Sequence, residues 1–336
     1  MFDATQIKFL ITTKMKGNLK STIGDMNILI VDDVHELLPD GLEEVGHHVL
    51  YLPNANREEI KANISGKHIL IIRSKTQVDQ ELMDQADSLL CIARAGAGLD
   101  NIDEAYAVQK GILCINAGEA NADAVGEHTI GMLLSLLNHL SRANKEVRQK
   151  IWRREANRGL ELAGKTVGII GFGNTGKAVA KKLQGFELKI LVYDKYLVNY
   201  GTPYAIESSL DQIFEEADIV TFHIPLTRET NWMVDMKFLN RFKKKIFLLN
   251  LSRGKILKTE DLVQELKSGK VLGCALDVLE NEDLKSLNEE EEIVFNRLLD
   301  FENVILSPHI GGWTVESYRK ISQVLLGKLL TFRGTN

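Results

Sequence analysis

Arg253, Glu282 and His309 are three side chains whose types could do chemistry together. They lie in Asn250-Leu251-Ser252-Arg253-Gly254, Asp277-Val278-Leu279-Glu280-Asn281-Glu282 and Ser307-Pro308-His309-Ile310-Gly311-Gly312. Each segment directly follows an apolar run that reads as a strand. A guanidinium offers a fixed fork of donors to an anionic oxygen. An imidazole exchanges one proton near neutral pH, and a carboxylate beside it fixes the tautomer and favours the imidazolium. Such a set suits a reaction in which one oxygen changes charge while a proton changes hands.

The elements that must position these groups alternate regularly. From Lys165 onward, strands are expected at 166–170, 189–193, 218–222, 246–250, 271–276 and 303–306. An earlier unit has expected strands at 27–32, 48–51, 68–72, 89–92 and 112–115, with helices at 36–45, 57–63, 79–86 and 103–110 between them. Strand–helix alternation of this period predicts α/β architecture, with two doubly wound parallel-sheet domains. A long helix over 124–148 joins them, apolar nearly all round at 129–137, so it either bridges domains or packs against another subunit. A last helix over 315–330 returns to complete the first unit. The expected division is a flexible extension at 1–25, a discontinuous substrate domain at 26–123 plus 313–336, and a nucleotide-binding domain at 124–312. A ligand cleft is expected between the two domains.

Gly171-Phe172-Gly173-Asn174-Thr175-Gly176 follows the strand 166–170 and opens a helix. Such a turn places backbone against a pyrophosphate, with the helix N-terminus facing the anion. Asp194 ends the next strand, where a carboxylate accepts hydrogen bonds from ribose hydroxyls and repels a 2′-phosphate. NAD is therefore the expected cofactor, although Lys189 and Lys195 lie close in sequence. With a nicotinamide moving a hydride, the opening trio is what a site needs to hold a 2-oxo acid and move its proton.

The bulk composition narrows the field. The 336 residues carry 44% apolar and 26% charged side chains and a net charge of −5, as in a soluble globular chain without an electrostatic reason to bind nucleic acid or an acidic membrane. No run of about 18 apolar residues suggests a membrane span. The run 289–292 reads as a solvated loop or helix start. Cys91, Cys114 and Cys274 are far apart, lack metal-ligand spacing and read as reduced core residues, which fits a cytoplasmic protein without a metal. Residues 1–25 are Lys-rich and lack Arg and the apolar core of a signal peptide.

Taken with Arg94-Ala95-Gly96-Ala97-Gly98-Leu99-Asp100-Asn101-Ile102-Asp103, Glu161-Leu162-Ala163-Gly164-Lys165-Thr166-Val167-Gly168-Ile169-Ile170-Gly171 and His223-Ile224-Pro225-Leu226-Thr227, these segments resemble the D-isomer-specific 2-hydroxyacid dehydrogenase family over nearly the whole chain, from Met26 to Leu330. The resemblance implies a flavodoxin-like substrate domain and a Rossmann NAD domain. It implies that Arg253 pairs with the substrate carboxylate and carbonyl oxygen, that His309 is the acid–base residue, and that Glu282 holds His309. It further places Gly171, Gly173, Asn174, Thr175, Gly176 and Asp194 on the cofactor, with Ile224 and Pro225 on its adenine–ribose side. Leu251, Ser252, Arg253, Asp277, His309, Gly311 and Gly312 fall toward its nicotinamide end. The backbone N–H groups of Ala97 and Gly98 are expected to meet the substrate carboxylate. The family commonly has Pro after the catalytic Glu. This chain has Asp283, so a freer loop and a second carboxylate beside Glu282 are expected.

Ile71-Ile72-Arg73-Ser74-Lys75-Thr76 resembles the phosphoglycerate dehydrogenase branch, in which basic residues here bind a substrate phosphate. The implied reaction is oxidation of 3-phosphoglycerate with NAD, the first step of serine biosynthesis, with Arg73, Ser74 and Lys75 on the phosphate. No C-terminal regulatory domain is expected. The alternatives are a glyoxylate/hydroxypyruvate or D-lactate-type reductase and an NAD-sensing corepressor-like binding protein. A homodimer is expected from the apolar helix and by analogy with the family.

Overall fold

A computed structural model of the chain describes residues 25–332. The extension expected at 1–25 lies outside these residues except for Asp25, as do residues 333–336. Contacts divide the chain into two compact units, one ending at Ala117 and resuming at Tyr318, the other running from Gly118 to Ser317. The sequence reading drew those borders at 123/124 and 312/313.

The first unit holds five strands, β1 (Asn27–Ile30), β2 (His48–Tyr51), β3 (Ile69–Ile72), β4 (Cys91–Arg94) and β5 (Leu113–Asn116). All pair in parallel in the order β2-β1-β3-β4-β5, the flavodoxin-like order. Every residue of β3 is buried, because a strand covered by helices on both faces needs apolar side chains at consecutive positions. One face is filled by Leu29, Leu70 and Ile92 against Ile60, Ile64 and Leu82. In this unit the helix Val315–Leu329 packs on the helix Leu37–Glu44, close enough that a Cβ at Gly41 would stand 2.5 Å from Leu326 Cδ2.

The second unit has seven strands, β6 (Thr166–Ile170), β7 (Lys189–Tyr193), β8 (Ile206–Glu207), β9 (Ile219–Phe222), β10 (Ile246–Asn250), β11 (Val271–Leu276) and β12 (Val304–Leu306). They form one parallel sheet, ordered β12-β11-β10-β9-β6-β7-β8. The chain leaves β6 in one direction through β7 and β8, then crosses back to β9. That reversal places a switch point beside the glycine turn after β6. Phe214, Phe238 and Phe242 pack edge to face on one side of the sheet.

Three expectations change. The helix expected over 124–148 is two helices, Ala122–Leu137 and Leu140–Arg148. The all-round apolar character ends at Leu137, Asn138 Nδ2 donates to Leu134 O at 3.1 Å, and His139 turns left-handed at φ 52°. The first of these helices buries much of its apolar surface within its own unit. Val125, Met132, Leu133, Leu136 and Leu137 pack with Val167, Ile169, Phe172 and Val179 of their own unit, so this helix no longer argues for a homodimer. Cys91 and Cys274 are buried, but Cys114 on edge strand β5 is only half-buried; all three are free thiols. Burial pushes the Cys91 thiol up to about 12. No described helix is long and apolar enough to cross a membrane, and no group of three or more His, Cys, Asp or Glu among the described residues could hold a metal ion.

Candidate active site

The three segments of interest leave adjacent parallel strands. Asn250 at the end of β10 is in register with Leu276 of β11, which is in register with Leu306 of β12. Arg253, Glu282 and His309 therefore all lie beyond the C-terminal ends of these strands. Buried Asn250 shapes the Arg253 turn: its Oδ1 accepts from Ser252 N at 3.1 Å and Ser252 Oγ at 2.8 Å, and its Nδ2 donates to Arg253 O at 2.9 Å. Arg253 Nη1 donates to Ser252 O at 2.7 Å. Gly254 lets this turn lie backbone to backbone on the next loop, since a Cβ there would stand 1.8 Å from Leu279 O.

His309 Nδ1 lies 3.0 and 2.9 Å from the two carboxylate oxygens of Glu282. A carboxylate only accepts, so Nδ1 carries hydrogen and Nε2 is left to exchange a proton with a third group. Among the described residues Nε2 has no hydrogen-bond partner. Both side chains are roughly half exposed, which makes the pair a device of orientation more than of stability. Asp283 does not loosen the loop as the missing Pro suggested. Its N–H donates to Asn281 Oδ1 at 3.1 Å, its carboxylate accepts from Lys285 N at 3.2 Å, and its carbonyl accepts from Ser286 N at 2.9 Å. The N–H that Pro would lack is spent closing a turn of the same loop.

Asp277 organises the backbone around His309. It is 1% exposed. Its carbonyl accepts from His309 N at 2.7 Å. Its carboxylate accepts from Ile310 N at 2.9 Å, Gly311 N at 2.7 Å and Ser307 Oγ at 2.5 Å. Burial would raise this carboxyl, but the bonds from His128, Ser307, Ile310 and Gly311 outweigh it and hold Asp277 below the usual carboxylate range. His309 adopts φ 55°, a left-handed conformation that costs about 1–3 kcal/mol outside glycine and persists where surrounding bonds enforce it. Sequence reasoning placed Asp277 toward the nicotinamide but missed its grip on this loop; it gave Ser307 no role of its own and missed His128. The available signal was a histidine at the start of the apolar stretch of this helix.

The glycine turn fits a pyrophosphate. Gly171 has φ 95°, and a Cβ there would strike His223 O at 2.3 Å and Ile224 Cγ2 at 2.8 Å. A Cβ at Gly176 would stand 2.1 Å from Gly171 O, so the helix Asn174–Leu183 rests directly on the turn. Gly173 caps that helix without a side-chain bond, and a Cβ there would enter open space. The first-turn N–H groups at Asn174, Thr175 and Gly176 thus present donors suited to an anion. Asp194 Oδ2 accepts from Phe172 N at 2.9 Å, while its Oδ1 accepts from Tyr196 N at 3.0 Å and Leu197 N at 3.2 Å. Three lone-pair sites are thereby used, leaving about one for a ribose hydroxyl. Lys195 pairs with Glu229 and Lys189 with Glu216. Ile224 and Pro225 continue from β9 beside the turn, and His223 is buried, with its imidazole lowered to about 4 by desolvation. Gly176→Ala is expected to cost about 1–3 kcal/mol by overpacking, lowering Tm by between about 2 and 12 °C and weakening NAD binding; thermal unfolding with and without NAD measures both.

Leu251 and Ser252 are buried in the β10 turn. Gly312 lies against Asn121, whose Nδ2 would be 2.5 Å from a Cβ there. In the first unit, the amides of Ala97 and Gly98 have no hydrogen-bond partner among the described residues, and Asn116 Nδ2 fixes the turn by donating to Ala97 O at 2.8 Å. Arg73 follows β3 and is largely covered, its guanidinium 5.4 Å from the Tyr318 ring centroid. Arg73 Nη1 donates to Asp33 O at 2.9 Å and lies 3.6 Å from the Asp33 carboxylate. Lys75 Nζ donates to Pro53 O at 2.5 Å and lies 3.4 Å from buried Asp32, while Ser74 between them is exposed. Both cations thus have anionic neighbours of their own.

Residues 130–311 match the family described as D-isomer specific 2-hydroxyacid dehydrogenase, NAD binding domain. A hydroxypyruvate reductase of Thermotoga maritima is 35% identical over 81% of this chain and 87% of its own length. The chain belongs to the D-isomer specific 2-hydroxyacid dehydrogenase family. As a member it is an NAD-dependent oxidoreductase of the 2-hydroxy acid class. A D-3-phosphoglycerate dehydrogenase of Methanocaldococcus jannaschii is 33% identical over 90% of this chain, which spans only 58% of that relative. Among solved structures, D-lactate dehydrogenase from Aquifex aeolicus complexed with NAD and lactic acid superposes with a TM-score of 0.77 at 25% identity, covering 91% of this chain and 95% of that one.

Proposed function

We propose that this dehydrogenase interconverts a D-2-hydroxy acid and its 2-oxo acid, with His309 as acid–base residue and Arg253 as anchor of the substrate carboxylate and carbonyl oxygen. The observation that carries this reading is the bond of His309 Nδ1 to both oxygens of Glu282. Nε2 is then the atom that takes the hydroxyl proton in oxidation and returns it in reduction. Glu282 holds the ring in that tautomer and compensates the charge it gains. The Arg253 guanidinium offers donors to an oxygen that becomes more negative as the carbonyl is reduced. Asn174, Thr175 and Gly176 hold the pyrophosphate of NAD, and Asp194 accepts from its ribose. When bound, NAD supplies the hydride acceptor. The pairing of Lys189 and Lys195 with other carboxylates removes two cations that would favour a 2′-phosphate, which supports NAD over NADP.

For the substrate we propose 3-phosphoglycerate, oxidised to 3-phosphohydroxypyruvate, with Arg73, Ser74 and Lys75 on the phosphate and the backbone of Ala97 and Gly98 on the carboxylate. Two basic side chains just after central strand β3, and relatives named phosphoglycerate dehydrogenase, support this reading. A second reading, reduction of hydroxypyruvate or glyoxylate, is favoured by the carboxylates of Asp33 and Asp32 beside Arg73 and Lys75, because cations already compensated attract a phosphate less. Steady-state rates with NADH on phosphohydroxypyruvate, hydroxypyruvate, glyoxylate and pyruvate decide between them. On the first reading Arg73→Ala raises KM for the phosphorylated acid about 10- to 100-fold, the size of a lost charge-assisted bond, and leaves small acids nearly unchanged. Equal or better turnover of an unphosphorylated acid by the native enzyme discards the first reading.

A further inference from the structure

We infer that His128 is a positioning residue for the His309 loop, acting through Ser307 and Asp277. His128 lies on the helix Ala122–Leu137, far in sequence from the loop it meets. Its Nε2 is 3.1 Å from Ser307 Oγ and 3.5 Å from Asp277 Oδ1. The direction of the chain of bonds follows from proton counting. Asp277 accepts from Ser307 Oγ at 2.5 Å, which uses the one hydroxyl hydrogen. Ser307 must then accept from His128, so His128 Nε2 carries hydrogen.

The far end of this chain is the backbone that sets His309. Asp277 receives Ile310 N and Gly311 N on its carboxylate and His309 N on its carbonyl. The left-handed turn at His309 is thus gripped from both sides by one residue, whose carboxylate is oriented by Ser307 and, behind it, His128. Gly311 allows the approach: a Cβ there would stand 2.9 Å from Asp277 Oδ2 and 3.6 Å from His128 Cδ2. Without the His128 donor, Ser307 Oγ loses one of the bonds that fix its rotamer, with Met132 Sδ 3.5 Å away as a weaker second acceptor for its hydroxyl, and the Asp277 carboxylate is held less tightly.

The inference rests on His309 as the acid–base residue, and the test separates the two. His128→Leu fills similar space without a donor; His128→Gln restores an N–H near the same place. The expected result is a roughly 10-fold lower kcat for His128→Leu with KM for NADH and for the oxo acid within about 2-fold, and recovery to within about 3-fold in His128→Gln. In the cofactor-free protein, amide hydrogen exchange at Ile310 and Gly311 is expected to accelerate in His128→Leu and return toward native in His128→Gln. Native kcat and exchange in His128→Leu, or a His128→Gln as impaired as His128→Leu, overturns the inference. If His309→Gln turns over normally, the acid–base reading fails and the kcat part of the inference falls with it, while amide exchange still reports whether His128 orders the loop.

Discussion

His309→Gln is expected to fold normally, bind NADH within about 3-fold of the native affinity and lose roughly 10²- to 10⁴-fold in kcat. That range is what a positioned acid–base group contributes. Glutamine can still meet Glu282 with an N–H, so the loop keeps its shape, but it offers no atom that both takes and returns a proton. Stopped-flow fluorescence measures NADH binding, and steady-state reduction of the best 2-oxo acid measures kcat. A kcat within 10-fold of native would remove His309 from the chemistry. Glu282→Gln should lose less, because an amide oxygen still accepts from Nδ1 while the compensating charge is gone. The ordering of the two variants is as informative as either loss.

Arg253→Ala should fail differently. On the proposed reading its donors act on the bound acid and on the oxygen that gains charge, so both KM and kcat are expected to suffer. Loss of one preorganised donor at a developing oxyanion costs about 10²- to 10³-fold in kcat, and loss of the carboxylate pair adds to KM, so kcat/KM falls by about 10³- to 10⁴-fold. Arg253→Lys should recover only part, because an ammonium cannot reproduce the planar fork. The turn itself is shaped by Asn250, so the backbone of the loop is expected to survive the substitution. Unchanged KM for the oxo acid in Arg253→Ala would sink its role as substrate anchor.

Much of the framework was legible because burial on both faces writes itself as consecutive apolar residues. β6, β7, β10 and β11 begin and end where those runs do. β8 left no such trace: it is two exposed residues at a sheet edge. The break at His139 was invisible because no glycine or proline marks it. The Glu282–His309 pair was legible through the family resemblance that their segments carry. The anchoring of their loop was not, since Asp277 works on backbone N–H groups, which every sequence supplies. Likewise the acids beside Arg73 and Lys75 sit about forty residues earlier in the chain, at Asp32 and Asp33, and only the adjacency of β1 and β3 brings them near.

The junction at Asp277 is wired in one direction. Every partner of its carboxylate is a donor: Ser307 Oγ, Ile310 N, Gly311 N and, slightly farther off, His128 Nε2. An amide in its place would match the shape but turn two hydrogens toward groups that also present hydrogens. Asparagine, the usual mild replacement for aspartate, is therefore a disruptive one here. A donor here can be exchanged for another donor, as in His128→Gln, but the acceptor cannot be exchanged for an amide.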